Sequence, residues 1–107
     1  MTALPGAPEI AFRNGRLYVE ELAVAELAHR FGTPLYVYSQ ASIRRALAGY
    51  TDALHGRDHL VCYALKANST LAILQLFAKA GCGFDIVSGG ELERVIAAGG
   101  DPGRVVF

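Results

Sequence analysis

Lys66 and Lys79 are the only side-chain primary amines in this sequence; the remaining basic residues are all arginine. Schiff-base chemistry needs an amine that gives up its proton near neutral pH. A free lysine titrates near ~10.4, and burial lowers that value because it disfavours the ammonium. Lys66 directly follows Leu60-Val61-Cys62-Tyr63-Ala64-Leu65, a near-continuous apolar run that suits a strand covered on both faces. So placed, Lys66 is expected to be partly desolvated, with a depressed pKa suited to covalent catalysis. The plainer alternative is a strand-end lysine whose head reaches solvent. Lys79 lies in the last turn of a helical segment, where a cation suits the helix dipole, and no chemistry is assigned to it.

Two carboxylates follow. In Phe84-Asp85-Ile86-Val87, strand alternation puts Asp85 and Val87 on one face and Phe84 and Ile86 on the other. Asp85 can then point into a pocket and steer the protonation of a neighbouring amine, or be tied to a loop amide. Ser88-Gly89-Gly90-Glu91 fits the S-x-x-E capping box, in which Ser88 accepts the amide of Glu91 and Glu91 that of Ser88. For Glu91 this structural role is the simplest reading of the spacing. The two glycines allow close backbone approach of a ligand.

Other motifs fall away. Gly81-Cys82-Gly83 would need a further glycine where Ile86 stands to complete a dinucleotide fingerprint. No Walker loop is present. His29, His55 and His59 have no cysteine partner at metal or nucleophile spacing and read as surface residues. Cys62 reads as a packed thiol.

The elements that must position these groups alternate. Residues 1–9 read as a loose tail. Asn14-Gly15 between two short apolar-bearing runs signals a type I′ hairpin. Residues 21–31 read as a helix with Leu22, Ala25, Leu27, Ala28 and Phe31 on one stripe, closed by Gly32. Leu35-Tyr36-Val37-Tyr38 reads as a strand. A helix capped by Ser39 or Ser42 carries Ile43, Leu47, Tyr50 and Leu54. Beyond the polar break at 55–58 come a strand over 60–65 and a helix with Leu71, Leu74, Phe77 and Ala78 inward, for which Asn68, Ser69 or Thr70 offers a cap. A strand follows over 84–87, then a helix with Leu92, Val95 and Ile96 inward, then a strand from Arg104. Strands separated by amphipathic helices imply βαβ units and a parallel sheet. In such a sheet function gathers at the carboxyl ends of the strands, where Lys66, Asp85 and Ser88 fall.

The chain has 107 residues, 52% of them apolar, and ten basic residues balance ten acidic ones. It is globular in composition and gives no electrostatic reason to bind nucleic acid or an anionic membrane. No apolar run approaches the ~18 residues of a membrane span, and the start resembles no signal peptide. With two cysteines and no disulfide framework, the expected compartment is the cytoplasm. Three parallel strands with unpaired edges are few against the ~250 residues of a (β/α)8 barrel. The expectation is therefore the opening of a larger α/β protein, with a complete three-stranded domain as the alternative.

Tyr63-Ala64-Leu65-Lys66-Ala67-Asn68-Ser69 resembles the Schiff-base lysine motif of fold-type III pyridoxal-phosphate enzymes. Gly83-Phe84-Asp85-Ile86-Val87-Ser88-Gly89-Gly90-Glu91-Leu92 is similar to the second motif of their decarboxylase branch, and Phe31-Gly32-Thr33-Pro34-Leu35-Tyr36-Val37-Tyr38 matches the same branch upstream. Within it the similarity is greatest to the diaminopimelate decarboxylases. The resemblance runs from about Leu22 to Phe107 and covers about the first quarter of the family's length, which implies that this chain alone is inactive and does not fold stably.

It implies a (β/α)8 TIM barrel of the alanine racemase/decarboxylase type together with a C-terminal β-domain. Residues 1–38 would pack with that β-domain, and residues 39–107 would open the barrel. It implies pyridoxal 5'-phosphate as cofactor, held covalently by Lys66 and flanked by Ala64. Asp85 and Glu91 would lie near the amine and assist exchange of the lysine for substrate. The implied reaction is decarboxylation of an amino acid, meso-diaminopimelate to L-lysine, by a homodimer. Relatives acting on ornithine, arginine or carboxynorspermidine, and non-catalytic pyridoxal-binding proteins, share the lysine motif and stand as alternatives.

Overall fold

The computed structural model describes residues 2–107. By internal contacts the chain divides into two compact units, one ending at Ala53 and one running from Leu54 to Phe107.

The first unit is an antiparallel meander with two helices. Strands β1 (Thr2–Leu4), β2 (Ala7–Arg13), β3 (Arg16–Val19) and β4 (Leu22–Ala23) pair in sequence order. The segment expected as a loose tail is thus ordered strand: Thr2 pairs with Phe12 and Leu4 with Ala7. Pro5-Gly6 forms the turn between two strands, with Gly6 at φ 72°. The Asn14-Gly15 hairpin is as expected. Arg13 pairs with Arg16, and both turn residues have positive φ, 51° and 76°, as a type I′ turn requires.

Helix α1 spans Val24–Phe31 rather than starting at residue 21. Glu20 adopts φ 54°, which turns the chain so that Leu22 and Ala23 pair with β3 before the helix begins. No residue of α1 is fully buried, and Ala25 and Phe31 of the expected stripe are exposed. Gly32 ends the helix at φ 81°, its amide donating to the Ala28 carbonyl.

Residues 35–38 are extended but form no strand. A strand exists through its hydrogen-bonded neighbour, and no described strand pairs with this segment. Helix α2 spans Gln40–Ala53. Ser39 is its cap, its Oγ accepting the Ser42 amide at 3.0 Å. Glu20 Oε1 adds a second acceptor, taking the Ala41 amide at 2.9 Å and the Ser39 hydroxyl at 2.8 Å. Tyr50, on the expected apolar side of this helix, is exposed.

The second unit carries the expected parallel sheet, β5 (Cys62–Ala64), β6 (Gly83–Asp85) and β7 (Val105–Val106), in that order. The strands are shorter than the apolar runs suggested. The β5–β6 ladder still extends one residue past each end of β5: Gly83 N donates to the Val61 carbonyl at 2.9 Å and Leu65 N to the Asp85 carbonyl at 3.2 Å. Helices α3 (Leu71–Lys79) and α4 (Gly89–Ala97) connect the strands. The core comprises Leu65, Leu74, Phe84, Ile86, Val95 and Ala98. Each large side chain buried here contributes about 1.5–3 kcal/mol relative to exposure. Tyr63, Phe77 and Leu92 pack at its margin. Leu71 and Ile96, expected inward, are exposed, while Ile73 takes a buried position on α3.

Two glycines are needed for close packing. A Cβ on Gly83 would overlap the Arg104 carbonyl and stand 2.8 Å from Cys62 Sγ. One on Gly100 would meet Val95 Cγ1 at 2.5 Å and Phe84 Cε2 at 3.0 Å.

Candidate active site at the carboxyl end of the parallel sheet

The register of the parallel pair fixes the geometry of this end of the sheet. Ala64, the last residue of β5, stands opposite Asp85, the last residue of β6. Tyr63 packs against the core and Leu65 lies within it, so alternation turns Ala64 to the other face. Phe84 and Ile86 are core residues, while Asp85 is half-buried and Val87 exposed. The expected alternation along this strand is therefore observed. Ala64 and Asp85 are neighbours on the face that does not carry the core.

Lys66 follows β5 in a tight turn in which the Ala67 amide donates to the Ala64 carbonyl at 3.2 Å. Lys66 is exposed in this chain, in line with the strand-end lysine of the plainer alternative and not with desolvation. Its neighbour Leu65, in the same turn, is buried in the core. Lys79, in the last turn of α3, lies away from these strand ends, at the end of its helix that leads into β6.

The backbone around Lys66 is well tied. The Tyr63 hydroxyl donates to the Asn68 carbonyl at 2.8 Å, and the Tyr63 ring stacks on Phe77 with centroids 4.2 Å apart. Asn68 Oδ1 accepts the Thr70 amide at 3.0 Å and the Thr70 hydroxyl at 2.7 Å. Thr70 is the N-cap residue of α3, yet its side chain makes no cap bond; it turns instead to Asn68. Arg94 Nε, on α4, donates to the Ser69 carbonyl at 3.0 Å.

At the start of α4, Ser88 Oγ accepts the Glu91 amide at 3.2 Å, as the capping box predicts. The reciprocal bond differs by one residue: Glu91 Oε2 accepts the amide of Val87, not Ser88, at 2.8 Å. Ser88 is fully extended, at φ −157° and ψ 160°, and the adjoining Val87 amide meets the returning carboxylate. No hydrogen bond from a loop amide to the Asp85 carboxylate is seen among the described residues. An open groove of about 510 Å³ runs along α4, lined by Ser88, Gly90, Glu91, Glu93, Arg94 and Ala97 and by Leu71 of α3.

Burial pushes the Cys82 thiol up, and neighbouring Cys62 adds to the shift, which suits an unreactive packed thiol. Among the described residues there is no group of three metal-ligating side chains, and no helix is long and apolar enough to cross a membrane. The three histidines are exposed, as expected.

Sequence reasoning missed Tyr63 and Arg94. Alternation with Leu65 gave a signal for Tyr63, since it placed the ring on the core side. Nothing in the spacing pointed from Arg94 to a carbonyl 25 residues away.

The donor set fits pyridoxal phosphate. It offers a single exposed primary amine at the strand ends, a carboxylate on the adjacent strand, and a small side chain, Ala64, between them on the open face. Comparison with known proteins agrees. Residues 22–107 match the family described as pyridoxal-dependent decarboxylase, pyridoxal binding domain. A diaminopimelate decarboxylase of Pseudomonas aeruginosa is 57% identical over 97 residues, covering 91% of this chain and 23% of the relative. A crystal structure of diaminopimelate decarboxylase from M. jannaschii superposes with a TM-score of 0.92 at 38% identity, covering 97% of this chain and 25% of that one. A second structure of the M. jannaschii enzyme, in complex with L-lysine, gives a TM-score of 0.91 at 39% identity over 95% of this chain and 25% of that one. This chain thus spans about a quarter of the length of the relatives it matches. The motif around Lys66, the register that sets Asp85 beside Ala64, and the match over residues 22–107 together lead to one conclusion: the chain belongs to the pyridoxal-dependent decarboxylase family, through its pyridoxal-binding domain.

Proposed function

We propose that the protein to which this chain belongs decarboxylates meso-diaminopimelate to L-lysine, using pyridoxal 5'-phosphate held by Lys66. The observation that carries the proposal is the Ala64–Asp85 register. It supports a site in which Lys66 emerges from one strand end and a carboxylate from the next.

Each residue has a chemical task in this reading. Lys66 supplies the amine that holds the cofactor and yields its place to the amino group of the substrate. Asp85 and Glu91 place negative charge at the carboxyl end of the sheet, where they hold or relay the proton carried by Lys66 Nζ. Ala64 leaves room for a flat ring against the strand. Ser88 and Glu91 keep the end of β6 fixed to α4. When bound, the cofactor serves as an electron sink for the bond that loses carbon dioxide.

In the same reading residues 39–107 open a (β/α)8 barrel and residues 1–38 accompany a separate β-domain. The exposed Tyr36 and Tyr38 suit a segment that is covered elsewhere in the protein. The L-lysine found in a related structure supports an amino-acid substrate and product. A cytoplasmic homodimer completes the reading.

The test is borohydride reduction of the full-length protein in pyridoxal phosphate, read by intact mass and peptide mapping, with carbon dioxide release followed on meso-diaminopimelate, ornithine and arginine. The expected result is one adduct on Lys66, lost in Lys66→Ala and kept in Lys79→Ala, with turnover of meso-diaminopimelate. An adduct on Lys79, or none, overturns the site; turnover of ornithine or arginine instead overturns the substrate.

A further inference from the structure

The loop that follows Lys66 is gripped at two consecutive carbonyls by side chains from two different elements. Tyr63 of β5 donates its hydroxyl to the Asn68 carbonyl at 2.8 Å, and Arg94 of α4 donates Nε to the Ser69 carbonyl at 3.0 Å. With the Ala67 amide on Ala64 and the Thr70 amide on Asn68 Oδ1, each residue from 67 to 70 contributes a backbone group to a hydrogen bond. Loops that carry function are ordinarily the loosest part of a fold; this one is restrained residue by residue.

The two grips differ in what they connect. Tyr63 is anchored by its stack on Phe77, so its hydroxyl is a fixed post beside the core. Arg94 lies one turn beyond Glu91 on the same face of α4. The helix that holds Glu91 against the end of β6 therefore also holds the lysine loop. A rigid helix joins the carboxylate to the backbone of the amine.

We infer that Tyr63 and Arg94 are positioning residues: they fix the Lys66 loop to β5 and to α4, and so set where the Lys66 amine stands relative to Glu91. The inference rests on the reading of Lys66 as the cofactor lysine. Neither side chain is assigned contact with cofactor or substrate.

The test uses the full-length protein freed of cofactor. The variants are Tyr63→Phe, Arg94→Ala and Arg94→Lys. Arg104→Ala serves as the matched control, because Arg104 makes the same kind of bond, to the Gly81 carbonyl at 2.8 Å, ahead of the opposite end of β6. Two quantities are read: hydrogen exchange of amides 66–70 without cofactor, and the rate at which added pyridoxal phosphate forms a reducible adduct on Lys66. Tyr63→Phe and Arg94→Ala should speed loop exchange and slow adduct formation, each by roughly ten-fold. Arg94→Lys should fall between, and Arg104→Ala should match the unsubstituted protein on both. Loop variants that match Arg104→Ala on both readouts overturn the inference, as does faster exchange with an unchanged adduct rate. If the unsubstituted protein forms no adduct on Lys66, the cofactor reading itself has failed, and the positioning role falls with it.

Discussion

Glu91 Oε2 accepts the backbone amide of Val87 at 2.8 Å, one residue short of the partner that a capping box would give it. The displaced bond ties the first turn of α4 to the segment just past Asp85. It makes Glu91 a cap for the chain, beside the proton-handling role proposed for its charge.

These two roles separate by substitution. Glu91→Ala removes the acceptor and should cost about 1 kcal/mol of stability, the ordinary worth of a cap bond. Glu91→Gln keeps an oxygen for the Val87 amide and should cost little, while removing the charge. In the full-length protein we expect Glu91→Gln to unfold near the unsubstituted midpoint but to lose roughly 10²-fold in kcat, the usual scale for a proton-handling group. A kcat unchanged by Glu91→Gln would reduce Glu91 to a cap.

Ala64 faces away from the core, opposite Asp85. Ala64→Leu should therefore leave the unfolding midpoint nearly unchanged, yet weaken pyridoxal phosphate retention by roughly ten-fold or more through steric exclusion. The measurement is cofactor dissociation during dialysis, followed by absorbance. Retention equal to that of the unsubstituted protein would remove Ala64 from the site.

Two glycines should respond with opposite sign. Gly83→Ala forces a methyl group against the Arg104 carbonyl and Cys62 Sγ and should cost about 1–3 kcal/mol by overpacking. Gly89, at the start of α4, has no atom within 4 Å of an added Cβ. Its replacement by alanine should add about 0.4–1 kcal/mol by restricting the unfolded chain. Denaturant titration of both variants distinguishes them.

Acid should loosen the first unit. Hydrogen bonds from the Ala41 amide, and then from the Ser39 hydroxyl, hold the Glu20 carboxyl below the usual carboxylate range. Glu9 is likewise held down, chiefly by its hydrogen bonds to Arg45. A carboxyl whose pKa is lower folded than unfolded contributes stability that is complete above its unfolded value, near ~4.3 for glutamate. That contribution fades as pH falls through the lower folded value. Glu20→Gln should therefore be less stable than the unsubstituted protein at neutral pH, with the gap closing as pH falls below the ordinary glutamate range. Circular dichroism melts across that range check the sign; a gap that widens in acid would refute it.

The sequence alone determined the alternation of strand and helix in the second unit, and with it the parallel sheet. The apolar run before Lys66, the short strand around Asp85, Ser88 as a cap and the Asn14-Gly15 hairpin are local signals, set by backbone sterics and side-chain periodicity within a few residues. Local signals also placed Lys66 and Asp85 at strand ends. The tertiary structure decided what depends on partners distant in sequence. Residues 2–4 became strand because β2 lies beside them, whereas residues 35–38 did not because no described strand does. Leu22 and Ala23 left the helix to pair with β3, and Glu91 turned to Val87 because an extended Ser88 put that amide within reach. The grip of Arg94 on the Ser69 carbonyl has no counterpart in the sequence pattern. A hydrogen bond between residues 25 positions apart exists only once packing has brought α4 beside the lysine loop.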